Sequence, residues 1–416
     1  MVRFRAIFGW NKETWAILIS TVLLFTGYTT GFLYYGETTQ QLPFRPKVWL
    51  GVFGCALLVE ACLRFPRLLL CQLGVLTILF VRWVDAILFG AVVVDLDFSV
   101  VKEYGTALLV ALCCLGVLKN TVVRQFATLW IGIITAAVLL LQLGYEWWKP
   151  GVFSQLSYSV AGRGGGWFGN PNTPALYLCQ ALGIIIACVP RVRIVALAAA
   201  FIGLGIVTTF SRAGFLCYGI MIVSYLFNRF RKNVISTSSV LGFLLLAFVP
   251  LFYVLSFGLD PGSDTNLNSR AQFMRGNWEA GLESDESRLI LLKDCWPAIK
   301  RSPIVGYGAG TALGTYQPHN QILALWIDNG LVGLGYYLAV LFAFLYHCFR
   351  KDPLLLIAVT PVWAYIPFST SLLQDKGIIF IMMVFPSLVV VRSARRGQLG
   401  DATKQLSHQQ GQNSIV

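Results

Sequence analysis

The chain has 416 residues, of which 56% are hydrophobic and 12% charged, and its formal net charge is +13. Folding cannot hide that much apolar surface from water, so a soluble globular protein is excluded and a polytopic membrane protein is expected. A nucleic-acid partner would want the surplus charge gathered on one domain, whereas here it recurs in short clusters between apolar stretches.

Stretches long enough to cross roughly 30 Å of hydrocarbon occur along the whole chain. In order, spans are predicted near 14–35, 47–63, 66–83, 104–119, 125–146, 173–189, 192–209, 213–228, 235–257, 330–349, 353–371 and 377–391, twelve in all. Between 66 and 100, Asp85, Asp95 and Asp97 flank a short apolar run from Ala86 to Val94 that reads equally as re-entrant or interfacial. Basic residues cluster at alternate connections: Arg3/Arg5/Lys12, Arg64/Arg67, Lys119/Arg124, Arg191/Arg193, Arg229/Arg231/Lys232, Arg350/Lys351 and Arg392/Arg395/Arg396. Twelve spans with both termini in the cytoplasm would place all seven clusters inside, as the positive-inside rule requires. The first span is too long for a cleavable signal and has no small-residue cleavage site after it. The resulting organisation is transmembrane helices over 1–257, an outer loop over 258–329, transmembrane helices over 330–392 and a polar cytoplasmic tail over 393–416. Nine of the ten cysteines lie in or beside apolar spans and only Cys295 falls in the long loop, which argues against a disulfide framework or a Cys/His zinc site.

This topology puts the chemically unusual segments on one face. Arg163-Gly-Gly-Gly-Trp-Phe-Gly-Asn-Pro-Asn-Thr-Pro precedes the sixth span, with Thr173 predicted as N-cap and Pro174 at the first helical position. Its glycines allow close backbone approach, and Arg163 reads either as a ligand or as an ordinary loop arginine. Arg212 interrupts a nearly continuous apolar stretch at a tight turn, where a cation either lines a functional cavity or snorkels to the interface. In the long loop, acids followed by bases suit a helix from about 285 to 300, kinked at Pro297 and ended by Ser302-Pro303. Leu289, Leu292, Trp296 and Ile299 give that helix an apolar stripe for the membrane face. Arg270, Arg275, Arg288, Lys293 and Arg301 are solvated charges taken singly, but with Arg212 they could cradle a diphosphate, because guanidinium meets phosphate oxygens bidentately. Glu283, Asp285 and Glu286 fit a charged first helical turn better than a metal site.

His319 is one of three histidines and follows Pro318 at the re-entry into the membrane. Ile322, Leu325, Trp326 and Asn329 come after it at helical spacing, so it is expected at a helix start, where the dipole and nearby arginines favour a neutral imidazole. Such a ring serves as general base on a hydroxyl, or simply hydrogen-bonds at the interface. His347 and His408 lie elsewhere in the topology.

Two motifs carry a resemblance. Arg288-Leu-Ile-Leu-Leu292 and His319-Asn320-x9-Gly330-x2-Gly333, in this order and in one long outer loop, resemble the patterns of the O-antigen ligase and O-antigen polymerase superfamily, and its ligases most. Ser211-Arg212 and Gly169-Asn-Pro-Asn172 are similar to further landmarks, and the Arg270-x10-Gly281 spacing is similar to polymerase loops. The resemblance implies an all-α polytopic membrane protein of about twelve helices, GT-C-like, in the bacterial inner membrane with a periplasmic active site. It implies transfer of a glycan from undecaprenyl diphosphate to a hydroxyl of lipid A–core without metal or cofactor. Arg212 and Arg288 would bind the diphosphate, His319 would activate the acceptor, and Asp375 would orient either; Arg163, Asn172, Arg270, Arg275, Lys293, Arg301 and Asn320 would line the substrates. Polymerases and protein O-oligosaccharyltransferases share the superfamily. A lipid-linked glycan transporter, a different class, would want charges near the midplane and inverted repeats instead.

Overall fold

The computed structural model describes residues 11–40, 45–65, 99–118, 121–149, 163–168, 170–231, 293–316, 318–369 and 375–388, plus a few isolated positions. Among them the regular elements are all helical. We number these α1 (Lys12–Thr29), α2 (Phe32–Thr39), α3 (Pro46–Arg64), α4 (Ser99–Val117), α5 (Thr121–Trp148), α6 (Asn172–Cys188), α7 (Val192–Thr209) and α8 (Arg212–Arg231). A helix over 293–301 is α9. Then come α10 (Gln321–Lys351), α11 (Pro353–Ala358), α12 (Thr360–Ala364) and α13 (Lys376–Val384). Five of them (α3, α5, α7, α8 and α10) are long and apolar enough to cross a membrane, and α1 with α2 makes a sixth, bent by 60°. The chain is an all-α polytopic membrane protein. The spans predicted near 66–83 and 235–257 lie outside the described residues.

Hydrocarbon offers no hydrogen bonds, so the backbone must satisfy itself, and side-chain hydroxyls fold back on their own helices. Thr21 and Thr128 each donate to the carbonyl four residues earlier, at 2.6 and 2.7 Å. At the centre stands α6, almost wholly buried among α5, α7, α8 and α11. Its Gly183 lies so close to α11 that a Cβ there would meet the Ala358 carbonyl oxygen at 2.2 Å, the close approach that small residues give helices in membranes.

Several expectations are corrected. The first predicted span is broken: Gly31 adopts φ +78, and the Thr30 carbonyl accepts a bond from Gln142 Nε2 of α5 at 2.9 Å. The span predicted over 353–371 is three short pieces, α11, α12 and a 3-10 turn over Ile366–Phe368, because Pro361 and Pro367 each start a new turn and lack an N–H to continue the old one. Thr173 is not the cap of α6; that helix starts at Asn172 behind Pro171, with no side-chain cap. The loop helix α9 does end before Ser302-Pro303, and it runs through Pro297. Its buried side is Cys295, Ala298 and Ile299, spaced one turn apart, and Cys295 and Ile299 pack with Ala312, Ala324 and Ile327 in a small core of their own. Trp296 is not on the same face as Ile299: it is exposed, edge-on to Trp326 with ring centroids 6.1 Å apart.

Candidate active site at one end of the bundle

The chain from α7 to α8 reverses in a turn that presents Arg212. Phe210 takes φ +50, and the Ser211 hydroxyl accepts the Gly214 amide at 3.2 Å, so Arg212 is the first residue of α8 and is half-buried. Arg163 holds this turn from beside it. Its Nε donates to the Thr209 carbonyl at 3.1 Å, and its Nη2 to the Phe210 carbonyl at 3.3 Å and to Asn172 Oδ1 at 3.4 Å. At 7% exposure, Arg163 is a buried cation spent on the end of α7, where carbonyls are left without helical partners. Its neighbour Gly164 donates its amide to the Thr208 carbonyl at 2.9 Å.

The glycine segment after Arg163 is tightly held. Glu146 Oε2, at the end of α5, accepts the amides of Gly165 and Gly166 at 3.0 and 2.8 Å, and Gln142 Oε1 accepts that of Trp167 at 3.1 Å. Phe168 then packs on Tyr177 of α6 with ring centroids 5.1 Å apart. Tyr177 in turn donates its hydroxyl to Asp375 Oδ2 at 2.7 Å, while Asp375 Oδ1 caps α13 by accepting the Ile378 amide at 2.8 Å. Desolvation pushes the Asp375 carboxyl above the usual carboxylate range, and these hydrogen bonds and Lys376 pull it back. Lys376 itself pairs with Glu103 of α4.

His319 stands exposed at φ +48, immediately before α10. Asn320 caps that helix, its Oδ1 accepting the amides of Ile322 and Leu323 at 2.9 and 3.2 Å. Gln321 is 1% exposed, and its Oε1 accepts the Leu372 amide at 2.8 Å. The Leu372 carbonyl accepts the Asp375 amide at 3.2 Å, so Gln321 ties the histidine turn to the aspartate turn. Replacing Gln321 by Leu leaves a buried amide unsatisfied and should cost about 1–3 kcal/mol. A melting temperature equal to that of the unmodified protein would count against this tie.

The paired glycines after His319 mark a break in α10. Gly330 has φ +62 and ψ −166, and the segment 303–308 fills the gap in the helical ladder. The carbonyls of Ile327 and Asp328 accept the amides of Tyr307 and Gly308, both at 2.8 Å. On the other side, the amides of Leu331 and Val332 donate to the carbonyls of Pro303 and Ile304 at 2.9 and 3.4 Å. Four backbone groups at the break thus find partners in the inserted segment.

The proposed site residues fall into two linked groups. Arg163, Asn172 and Arg212 form one; His319, Asn320 and the Asp375 turn form the other. The start of α6 joins them, since Asn172 meets Arg163 and Tyr177 meets Asp375. The N-termini of α6, α8, α10 and α13 therefore gather at one end of the bundle, each carrying the equivalent of about half a positive charge. Lys293 and Arg301 are exposed on α9. Arg270, Arg275 and Arg288 lie outside the described residues. Sequence reading passed over Gln142, Glu146, Tyr177, Gln321 and Asp328; polar residues inside apolar runs were the available signal.

Fold and site together define a multi-pass helical membrane protein with a cationic, histidine-bearing centre at one end of its bundle. Residues 197–338 match the family model described as O-antigen ligase, so this stretch, about a third of the chain, is similar to that family. The match runs from α7 into α10 and so takes in Arg212, His319, Gly330 and Gly333; Arg163, Asn172 and Asp375 lie outside it. It supports a glycosyl-transfer function of the O-antigen ligase type in a membrane setting. Among curated proteins, none matches the chain.

Proposed function

We propose that the chain is an O-antigen ligase, moving a glycan from undecaprenyl diphosphate to a sugar hydroxyl of lipid A–core at the periplasmic face of the bacterial inner membrane. The observation that carries this reading is the placing of Arg212 and His319, each at a helix start, at the same end of the bundle. Helix N-termini and guanidinium favour a diphosphate, whose departure needs charge compensation and positioning more than covalent help. An imidazole beside it can take a proton from an acceptor hydroxyl. In the step, the acceptor oxygen bonds to the anomeric carbon as its proton passes to His319. The bond from that carbon to the phosphate oxygen breaks, and undecaprenyl diphosphate leaves on Arg212, with Arg288 as the second cation that the motif supplies. Arg163 and Asn172 act by holding the Arg212 turn, and Asp375 by fixing the turn tied to His319 through Gln321.

The test is transfer in vitro with purified protein, lipid-linked glycan and lipid A–core. His319→Ala should lower kcat by about a hundredfold or more, as expected when a general base is removed. Full activity in that variant would sink the assignment. A longer lipid-linked glycan as the sole product would make the enzyme a polymerase.

A further inference from the structure

The end of the bundle opposite the candidate site carries a cluster of cations that the proposed chemistry does not use. The helices with Glu146, His319 and Asp375 at or beside one end, α5, α10 and α13, meet again at their other ends. There a 3-10 turn over Phe385–Ser387 follows α13 and offers two successive carbonyls to side chains. Lys351 Nζ donates to the Pro386 carbonyl at 2.8 Å, and His347 Nε2 meets the same oxygen at 3.3 Å. Arg124 Nη2 donates to the Ser387 carbonyl at 2.8 Å, and its Nη1 to the Leu118 carbonyl at 3.1 Å. Arg124 is 6% exposed, and its buried Nε has no acceptor. Among the described residues no carboxylate pairs with Arg124, His347, Arg350 or Lys351. Asp352, the acid next in sequence, is 4% exposed and caps α11 by accepting the Leu354 amide at 2.9 Å. The C-termini of α4, α10 and α13 converge on this corner, but each supplies only about half a negative charge. Arg124, Arg350 and Lys351 outweigh them, so the corner is positive and has more donors than acceptors.

We propose that this corner binds the phosphate headgroup of an anionic phospholipid. A phosphodiester brings a full negative charge and only acceptor oxygens, which is what surplus cationic donors require. Basic pockets between helix ends in membrane proteins take such headgroups. The lipid tail is argued from α10. Val340, Ala343, His347 and Lys351 follow one another at intervals of three or four residues, so they share a helix face, and all four are exposed. Tyr336, one turn earlier and 71% exposed, extends that face. An acyl chain along this apolar strip has its phosphate at His347 and Lys351. A free phosphate would meet the cations and leave the strip uncovered, so the lipid is the better fit. Arg124 acts from behind, its charge pinned beneath the headgroup by the Leu118 and Ser387 carbonyls. The bound lipid would tie α5, α10 and α13 together at the end away from the site.

The experiment places the full-length protein in nanodiscs of phosphatidylcholine alone or of phosphatidylcholine mixed with phosphatidylglycerol. Melting is followed in both, and native mass spectrometry counts the lipids retained on release from the disc. The unmodified protein should melt higher in the mixed discs and retain phosphatidylglycerol over phosphatidylcholine by about tenfold or more. Arg350→Gln/Lys351→Gln changes two exposed side chains and should lose most of both effects. Lys351→Gln alone should lose part of each, which keeps the test open if the double variant folds poorly. Arg191→Gln/Arg193→Gln removes two exposed charges from the start of α7, at the same end of the bundle, and should behave like the unmodified chain. Equal losses in the two double variants would overturn the proposal, since any basic patch would then serve. Equal retention of the two lipids by the unmodified protein would overturn it as well. A third arm adds inorganic phosphate to the phosphatidylcholine discs. The same rise in melting there would overturn the lipid assignment and make the corner a site for free anions.

Discussion

Gly330→Ala should disable the enzyme and destabilise the end of the bundle that carries the site. At φ +62 and ψ −166 the backbone occupies a region essentially confined to glycine, and a side chain there costs roughly 1–3 kcal/mol in strain alone. Space makes matters worse. A Cβ on Gly330 would stand 2.1 Å from the Ile304 carbonyl oxygen and 2.5 Å from the Val305 amide nitrogen. Neither atom can move without dragging the segment that satisfies the broken ladder, and Gly306 faces the gap from the other side at φ +72. The summed cost should reach about 3 kcal/mol or more, at the severe end for a single methyl group. Gly335→Ala is the matched control: it lies five residues on, in regular helix, with nothing within 4 Å of the added carbon. It should leave melting and transfer close to those of the unmodified protein. Equal behaviour of the two variants would mean that the break does not matter. The second glycine of the motif follows from the first, since a Cβ on Gly333 would meet that of Asn329 at 2.3 Å.

What the sequence disclosed and what it withheld divide along a physical line. Hydropathy registers length of apolar chain, so the main helices were legible. Hydropathy does not register direction. A helix interrupted at Gly31 or Gly330 has the same apolar content as an unbroken one, and only a partner elsewhere in the chain shows that the freed carbonyls are satisfied. For Gly31 that partner is Gln142, more than a hundred residues away. The site divides similarly. His319 and Arg212 announce themselves as rare polar groups at apolar boundaries; His319 sits before a helix as expected, and Arg212 opens the helix that follows its turn. The groups that brace the neighbouring loops do not. Gln321 reads as one more polar residue in a capping region, and Asp328 as an acid in a helix, until the loop that each fastens is seen.

Arg163 illustrates the point and gives the second large effect. Read in sequence, it is a loop arginine among glycines and a candidate for the diphosphate. In the fold its guanidinium forks across the Thr209 and Phe210 carbonyls, at the turn from which Arg212 projects. Arg163→Ala would strip charged donors from two buried carbonyls at the end of α7, where a hydrogen bond to a charged group contributes about 1.5–3 kcal/mol. The variant should therefore melt earlier and lose transfer together, since the turn is no longer held against Gly164 and Asn172. Arg163→Lys should recover only part of either, because one ammonium is a point donor and cannot reproduce a planar fork. The two possible roles separate in the kinetics. A cation that meets the donor diphosphate raises the donor KM when removed and leaves melting alone, whereas one that supports the turn lowers melting and kcat and moves KM little. A raised donor KM with unchanged melting in Arg163→Ala would return this residue to the substrate. The expected pattern would instead make Arg163 the support on which Arg212 depends.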